Sequence, residues 1–152
     1  MFNQILPEHV DNTYRGYRLA LWFFALLLLM KIVMSVNCIF NGYSVATTAD
    51  GLPLDTYTPA GAQAVVSLFA TWGVTHLMLC LVALLVLVRY RSLIPLMFTL
   101  LLLEQLGRKL AHQFLPTVRT GTPPGYFVNL FLLALMIVGL ALSLFPLRRS
   151  RV

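Results

Sequence analysis

Among the ionisable residues inside the long apolar runs of this chain, five stand out: Lys31, His76, Glu104, Arg108 and Lys109. A charged side chain at membrane depth costs on the order of 3 kcal/mol or more, so such residues are rare and lean towards function. Their types define a limited chemistry. Lys31, Arg108 and Lys109 are donors only, suited to a carboxylate, a phosphate or a polarised carbonyl oxygen. Glu104 stands four residues before Arg108, the helical spacing of an ion pair, and it is the single acid among these five. It can also pair with Lys31 across the molecule. Cations remain in excess, which calls for water, a neutral lysine or a bound anion.

The depths of these residues agree. Lys31 lies thirteen residues after Arg18, His76 thirteen before Arg89, and Glu104 thirteen after Arg91. At ~1.5 Å per residue, all three stand ~20 Å from the nearest basic anchor. That is one layer, close to the middle of a hydrocarbon core ~30 Å thick. Further out, Ser35 and Cys38 share the Lys31 face, and Gln105, Lys109 and His112 share an arc with Arg108. Asn129 reaches the same outer depth. The other half of the runs is almost wholly Leu, Val, Ile, Phe and Met. The expected arrangement is a polar pocket above an apolar plug, opening outward under the segment between the first two runs. The candidate ligand-binding residues are therefore Lys31, His76, Glu104, Arg108, Lys109 and Asn129.

The elements that must position them are transmembrane helices. The chain is 59% hydrophobic and 11% charged, against about a quarter charged in soluble domains. Apolar runs over 17–40, 62–88, 93–114 and 124–146 each reach the roughly 20 residues that a membrane span requires. The expected fold class is all-α: an integral membrane four-helix bundle, up-down-up-down, forming one domain over 1–152. The first run starts late and is too long for a signal peptide, so it is expected to be a retained helix. The outer loop 41–61 has no Lys or Arg and the link between spans three and four has only Arg119, whereas Arg15, Arg18, Arg89, Arg91, Arg148, Arg149 and Arg151 flank the opposite ends. By the positive-inside rule both termini are cytoplasmic, in a bacterial inner membrane. Thr58-Pro59, Thr122-Pro123 and Ser92 with Pro95 read as helix starts, and Asp11 or Asn12 as the cap of the first helix. Gly73, Ala83, Ala134, Gly139 and Ala141 are expected at close helix contacts. Tyrosines and Trp22 gather at the span boundaries as an aromatic belt, while Trp72 lies well inside the second run.

Several chemistries find no support. The net charge of +6 is accounted for by span flanks, not by nucleic-acid binding. Cys38 and Cys80 form no C-x-x-C, no zinc spacing occurs, and no phosphate loop or nucleophile elbow appears. His76 and His112 differ by ~12 Å in depth, unsuited to bis-His haem. His76 alone reads more readily as a hydrogen-bonded core histidine than as a metal ligand. Asp50 and Asp55 read as a solvated loop. Glu104–Arg108 can equally be a structural pair, and Arg108, Lys109 and His112 can snorkel to outer headgroups. No metal, cofactor or catalytic residue is indicated, and an enzyme is the less favoured reading. The expected function is a binding module for an amphipathic anionic or carbonyl-bearing ligand, a lipid or a quinone. Alternatives are a dimeric proton- or ion-coupled transporter, and an accessory subunit of a larger membrane complex. Expected partners are membrane lipid, the lipid or quinone ligand and, on the alternatives, a second copy or a membrane complex.

Overall fold

The computed structural model describes residues 5–7 and 9–145. The basic run Arg148, Arg149, Ser150 and Arg151, the last residue of the fourth expected span, Glu8 and the first four residues of the lead-in lie outside the described residues. Among the described residues the chain is all-helical with no strand. Four long helices carry it: α1 (Arg18–Phe40), α2 (Pro59–Arg89), α3 (Ile94–Phe114) and α4 (Pro124–Leu144). Every described end falls within one turn of the expected span. Helices α1, α2 and α4 are each long and apolar enough to cross a membrane. α3 does not meet that standard, since Glu104, Arg108 and Lys109 all fall within it.

The helix starts differ in detail from expectation. Thr58 does cap α2: its Oγ1 accepts the Gly61 N–H at 3.1 Å, with Pro59 opening the helix. Asp11 does not cap α1, which begins at Arg18 with no side-chain cap. Its carboxylate instead accepts the Thr13 N–H at 3.0 Å. Its backbone holds the lead-in to the α2–α3 link, its carbonyl accepting from the Ser92 hydroxyl at 2.8 Å. Ser92 is thereby occupied, and α3 starts two residues later with Pro95 in its first turn. α4 starts one residue later than Thr122-Pro123 implied, with Pro123 as an uncapped boundary residue and Pro124 as the first helical residue.

Consecutive helices run antiparallel. The Tyr17 N–H bonds the Leu142 carbonyl at 3.2 Å, tying the start of α1 to the end of α4. Phe24 of α1 meets Phe98 of α3 edge to face, centroids 5.0 Å apart, and Phe98 in turn fills the space left by Gly139 of α4. With Leu27, Met97, Leu101, Leu132 and Met136 these rings form a dry core in the half nearest the α2–α3 link, called here the hairpin end. Ala83 is fully buried, whereas Ala134 and Ala141 are exposed.

Gly73 permits the closest approach of α1 and α2. A Cβ there would stand 2.8 Å from the Ser35 carbonyl oxygen, which is backbone and cannot swing aside. Gly73→Ala is therefore expected to cost about 1–3 kcal/mol through overpacking. A thermal melt in detergent checks it, and a melt equal to wild type would mean that the two helices are less closely docked.

At the opposite end, the loop end, residues 41–58 are not open chain. They form a helical turn at Gly42–Ser44, a π-helical turn at Val45–Ala49 and a 3-10 turn at Leu54–Thr56. Gly51 takes φ +69°, a conformation that favours glycine. Its carbonyl accepts from Thr120 N at 2.9 Å and from Thr120 Oγ1 at 3.1 Å. The segment is thus fastened to the α3–α4 link, with Ala46 and Leu54 buried beneath it.

Candidate functional site

The layer anticipated from depth is assembled by three helices. Lys31 of α1 is 2% exposed, and its Nζ lies 3.3 Å from Glu104 Oε2 of α3 and 3.3 Å from His76 Nε2 of α2. An ammonium group can only donate, so a charged Lys31 requires His76 Nε2 to be bare and Nδ1 to carry the proton. His76 Nδ1 then faces Glu104 Oε1 at 3.8 Å, too far for a hydrogen bond. Lys31 is held from its own helix as well, since its carbonyl accepts the Ser35 hydroxyl at 2.8 Å.

Arg108 connects this layer to the loop end. Its Nε lies 2.9 Å from Glu104 Oε1, one helical turn away. The N–H does not point at the oxygen: both atoms are buried and lack an aligned hydrogen-bond partner. The contact is one of charge, and directional bonding capacity is left over on each side. Arg108 Nη2 donates to Gln105 Oε1. Gln105 Nε2 donates to Asn129 Oδ1 at 3.1 Å, and Asn129 Nδ2 to the Gly125 carbonyl at 2.9 Å. The guanidinium also lies 4.9 Å from the centroid of the Trp72 ring, whose other neighbour is His76, stacked at 5.1 Å and 20°. Trp72 therefore packs against both the arginine and the histidine, and its position inside α2 is explained by the two groups it covers.

Beyond Arg108 a cleft of about 340 Å³ opens at the loop end. Gln105, Arg108 and Asn129 form its floor; Lys109, His112, Arg119, Tyr126 and Asp50 stand around it. The sequence-derived candidates thus fall in two tiers. Lys31, His76 and Glu104 form the inner layer, Arg108 belongs to both tiers, and Lys109 and Asn129 belong to the cleft. Lys109 and His112 are exposed, whereas Arg108 turns inward. Among the described residues no group of three His, Cys, Asp or Glu side chains is placed to hold a metal ion, and both cysteines are free and buried.

Five of these cleft residues, Gln105, His112, Arg119, Tyr126 and Asp50, are not among the ligand-binding candidates; Arg119 enters the sequence reading only as loop charge, and Asp50 as a solvated loop residue. Asp50 is instead half-buried, brought to the cleft by the Gly51–Thr120 fastening. Burial raises its carboxyl above the usual carboxylate range, against the pull of Arg119, Arg108 and His112. The docked segment therefore holds the proton more tightly than an undocked one. Docking of residues 45–56 is expected to be firmest at low pH. It should weaken as pH rises from the ordinary aspartate value through the raised one. Amide exchange across that range, corrected for its intrinsic pH dependence, should show this, and Asp50→Asn should flatten it. A wild-type profile as flat as that of the variant would refute it.

Compared with known protein families, curated protein sequences and solved structures, the chain matches none.

Proposed function

We propose that this chain is a small four-helix membrane protein that holds an amphipathic anionic or carbonyl-bearing molecule, a lipid or quinone, at its loop end. In this reading α3 crosses with the other three helices in an up-down-up-down bundle. Its charges are tolerated because Glu104 is paired and Arg108 opens to a wet cleft. The membrane is a bacterial inner membrane, with both termini cytoplasmic and the cleft facing outward, as the arginine distribution favours.

One observation carries the proposal. Among the described residues, the cleft and the layer beneath it bring Lys31, Arg108, Lys109 and Arg119 together with Glu104 and Asp50. Four basic side chains there face two carboxyls, an excess of two, beside a concavity large enough for a polar head. Arg108 and Lys109 would take that head, Asn129 would add a hydrogen bond, and Glu104 would orient Arg108. Lys31 and His76 would act from below by fixing Glu104.

The test is native mass spectrometry of the protein released directly from membrane vesicles. Wild type is expected to carry a small-molecule adduct that is absent from Arg108→Leu. An adduct retained undiminished by Arg108→Leu would place the ligand elsewhere, and a bare wild type would end the proposal.

A second reading, a dimeric proton- or ion-coupled transporter, draws on the buried Lys31–His76–Glu104 layer alone. Among the described residues, Phe24, Leu27, Phe98 and Leu101 pack as an apolar plug below that layer, on the hairpin-end side. Crosslinking in native membranes that gave a specific dimer, with proton movement abolished by Glu104→Gln, would favour this reading over the first.

A further inference from the structure

The cleft is not an isolated depression. A second hollow, about 390 Å³ and almost wholly apolar, lies nearer the hairpin end between Leu102 of α3 and Ile137, Leu140 and Leu144 of α4, with Phe145 just beyond that helix. Helical spacing puts the two concavities on one seam. Leu102 is seven residues before Lys109, and Ile137 is seven after Leu130, which lines the cleft. Seven residues are two turns of helix, so each pair stands on a common face ~10 Å apart. Exposed Leu106 lies between the two hollows on α3.

Exposed leucines by themselves say nothing here, because every long helix presents them to the surroundings. What this seam adds is concavity: an apolar hollow and a cationic cleft stand about two helical turns apart on one face. We infer that the ligand is an anionic acyl lipid lying along the α3–α4 seam. Its phosphate or carboxylate sits on Arg108, Lys109 and Arg119, and its chain sits over Leu106 in the hollow against Ile137 and Leu140.

The dimensions agree. From Asn129, at the floor of the cleft, to Leu140 is eleven residues, or ~16 Å along the helix. That is close to half of the ~30 Å hydrocarbon core, the depth one acyl chain occupies. A quinone ring between the helices, in contact with His76 or Lys31, is disfavoured by the same geometry: neither residue lines either hollow.

The inference rests on the proposed function and adds the ligand's class and course. The experiment is native mass spectrometry of purified protein, stripped of lipid and titrated with four probes. These are long-chain phosphatidylglycerol, long-chain phosphatidylcholine, dihexanoyl phosphatidylglycerol and inorganic phosphate. Ile137→Trp and Leu140→Trp add bulk to the α4 wall of the hollow and leave the residues that line the cleft unchanged; Arg108→Leu removes the head site. Long-chain phosphatidylglycerol is expected to bind at least about tenfold more tightly than the other three. Each tryptophan variant should lose that margin over the dihexanoyl lipid while still binding the latter as wild type does. Equal binding of dihexanoyl and long-chain lipid, with the tryptophan variants indifferent, would overturn the seam and leave the head site standing. Equal binding of phosphatidylcholine would overturn the anionic head. No binding of any probe would remove both the inference and the proposed function.

Discussion

Glu104→Gln is expected to destabilise the protein by about 3 kcal/mol, the lower end of the usual cost of removing one partner from a buried ion pair. The lower end applies because Glu104 itself is 22% exposed. Lys31, in contrast, is sealed at 2%. A glutamine leaves two cations, Lys31 and Arg108, facing each other across a site with no carboxylate. His76 cannot relieve them, since its Nε2 is already used by Lys31 and its Nδ1 carries the proton. Lys31→Met should cost less, because Glu104 keeps Arg108 as a partner at 2.9 Å. The double variant should be more stable than Glu104→Gln alone, since it no longer buries an uncompensated ammonium. Thermal unfolding of all four proteins in one detergent gives the coupling directly as a double-mutant cycle. Additive effects would mean that Lys31 and Glu104 do not meet as described.

Why this layer was legible in the sequence, and the cleft only partly so, follows from the geometry of helices. Rise per residue is nearly constant, so counting from Arg18, Arg89 and Arg91 assigns Lys31, His76 and Glu104 to one height without knowledge of their neighbours. Azimuth is a different matter. Adjacent residues point ~100° apart, so Arg108 turns inward while Lys109 stands at the rim, and a broad polar arc does not separate them. Trp72 could be marked as out of place for an interfacial aromatic. That it covers both Arg108 and His76 depends on which faces of α2 and α3 meet.

Asp50 and Arg119 were beyond such counting altogether. They reach the cleft through a backbone fastening between Gly51 and Thr120, sixty-nine residues apart in the chain. Nothing local in the loop encodes that except the Asp50-Gly51 turn itself. Asp11 shows the same limit at the other end. It has the composition of a helix cap, but the competing partner, Ser92, lies eighty-one residues away. Long-range pairing decided the outcome in both loops, whereas helix length and burial inside the runs followed from local pattern. α3 lies between these cases: its ends were legible from Pro95 and the apolar run, yet its three charges set it apart from the other helices.

Arg108→Leu should separate binding from stability in the opposite sense to Glu104→Gln. Removing a cation from a site that already has too many leaves the Lys31–Glu104 pair intact at 3.3 Å. The melt is therefore expected to stay within about 2 kcal/mol of wild type, the loss coming from Gln105 and from packing on Trp72. Affinity for an anionic lipid should fall by far more. Truncating a charge that meets an anion in a partly desolvated site costs about 2–5 kcal/mol, or roughly thirty-fold to several thousand-fold. Arg108→Lys keeps the charge but not the shape. A single ammonium cannot at once lie beside Glu104, donate to Gln105, rest on the Trp72 ring and meet a ligand, so about a tenfold loss is expected. Trp72 provides the readout. The chain has two tryptophans, and Trp22 is 76% exposed on α1, so a Trp22→Phe background leaves one reporter 4.9 Å from the guanidinium. Lipid binding that draws Arg108 towards the cleft should change its emission in the parent protein, weakly in Arg108→Lys and not at all in Arg108→Leu. Wild-type affinity in Arg108→Leu would show that the excess positive charge of the cleft is not what holds the ligand.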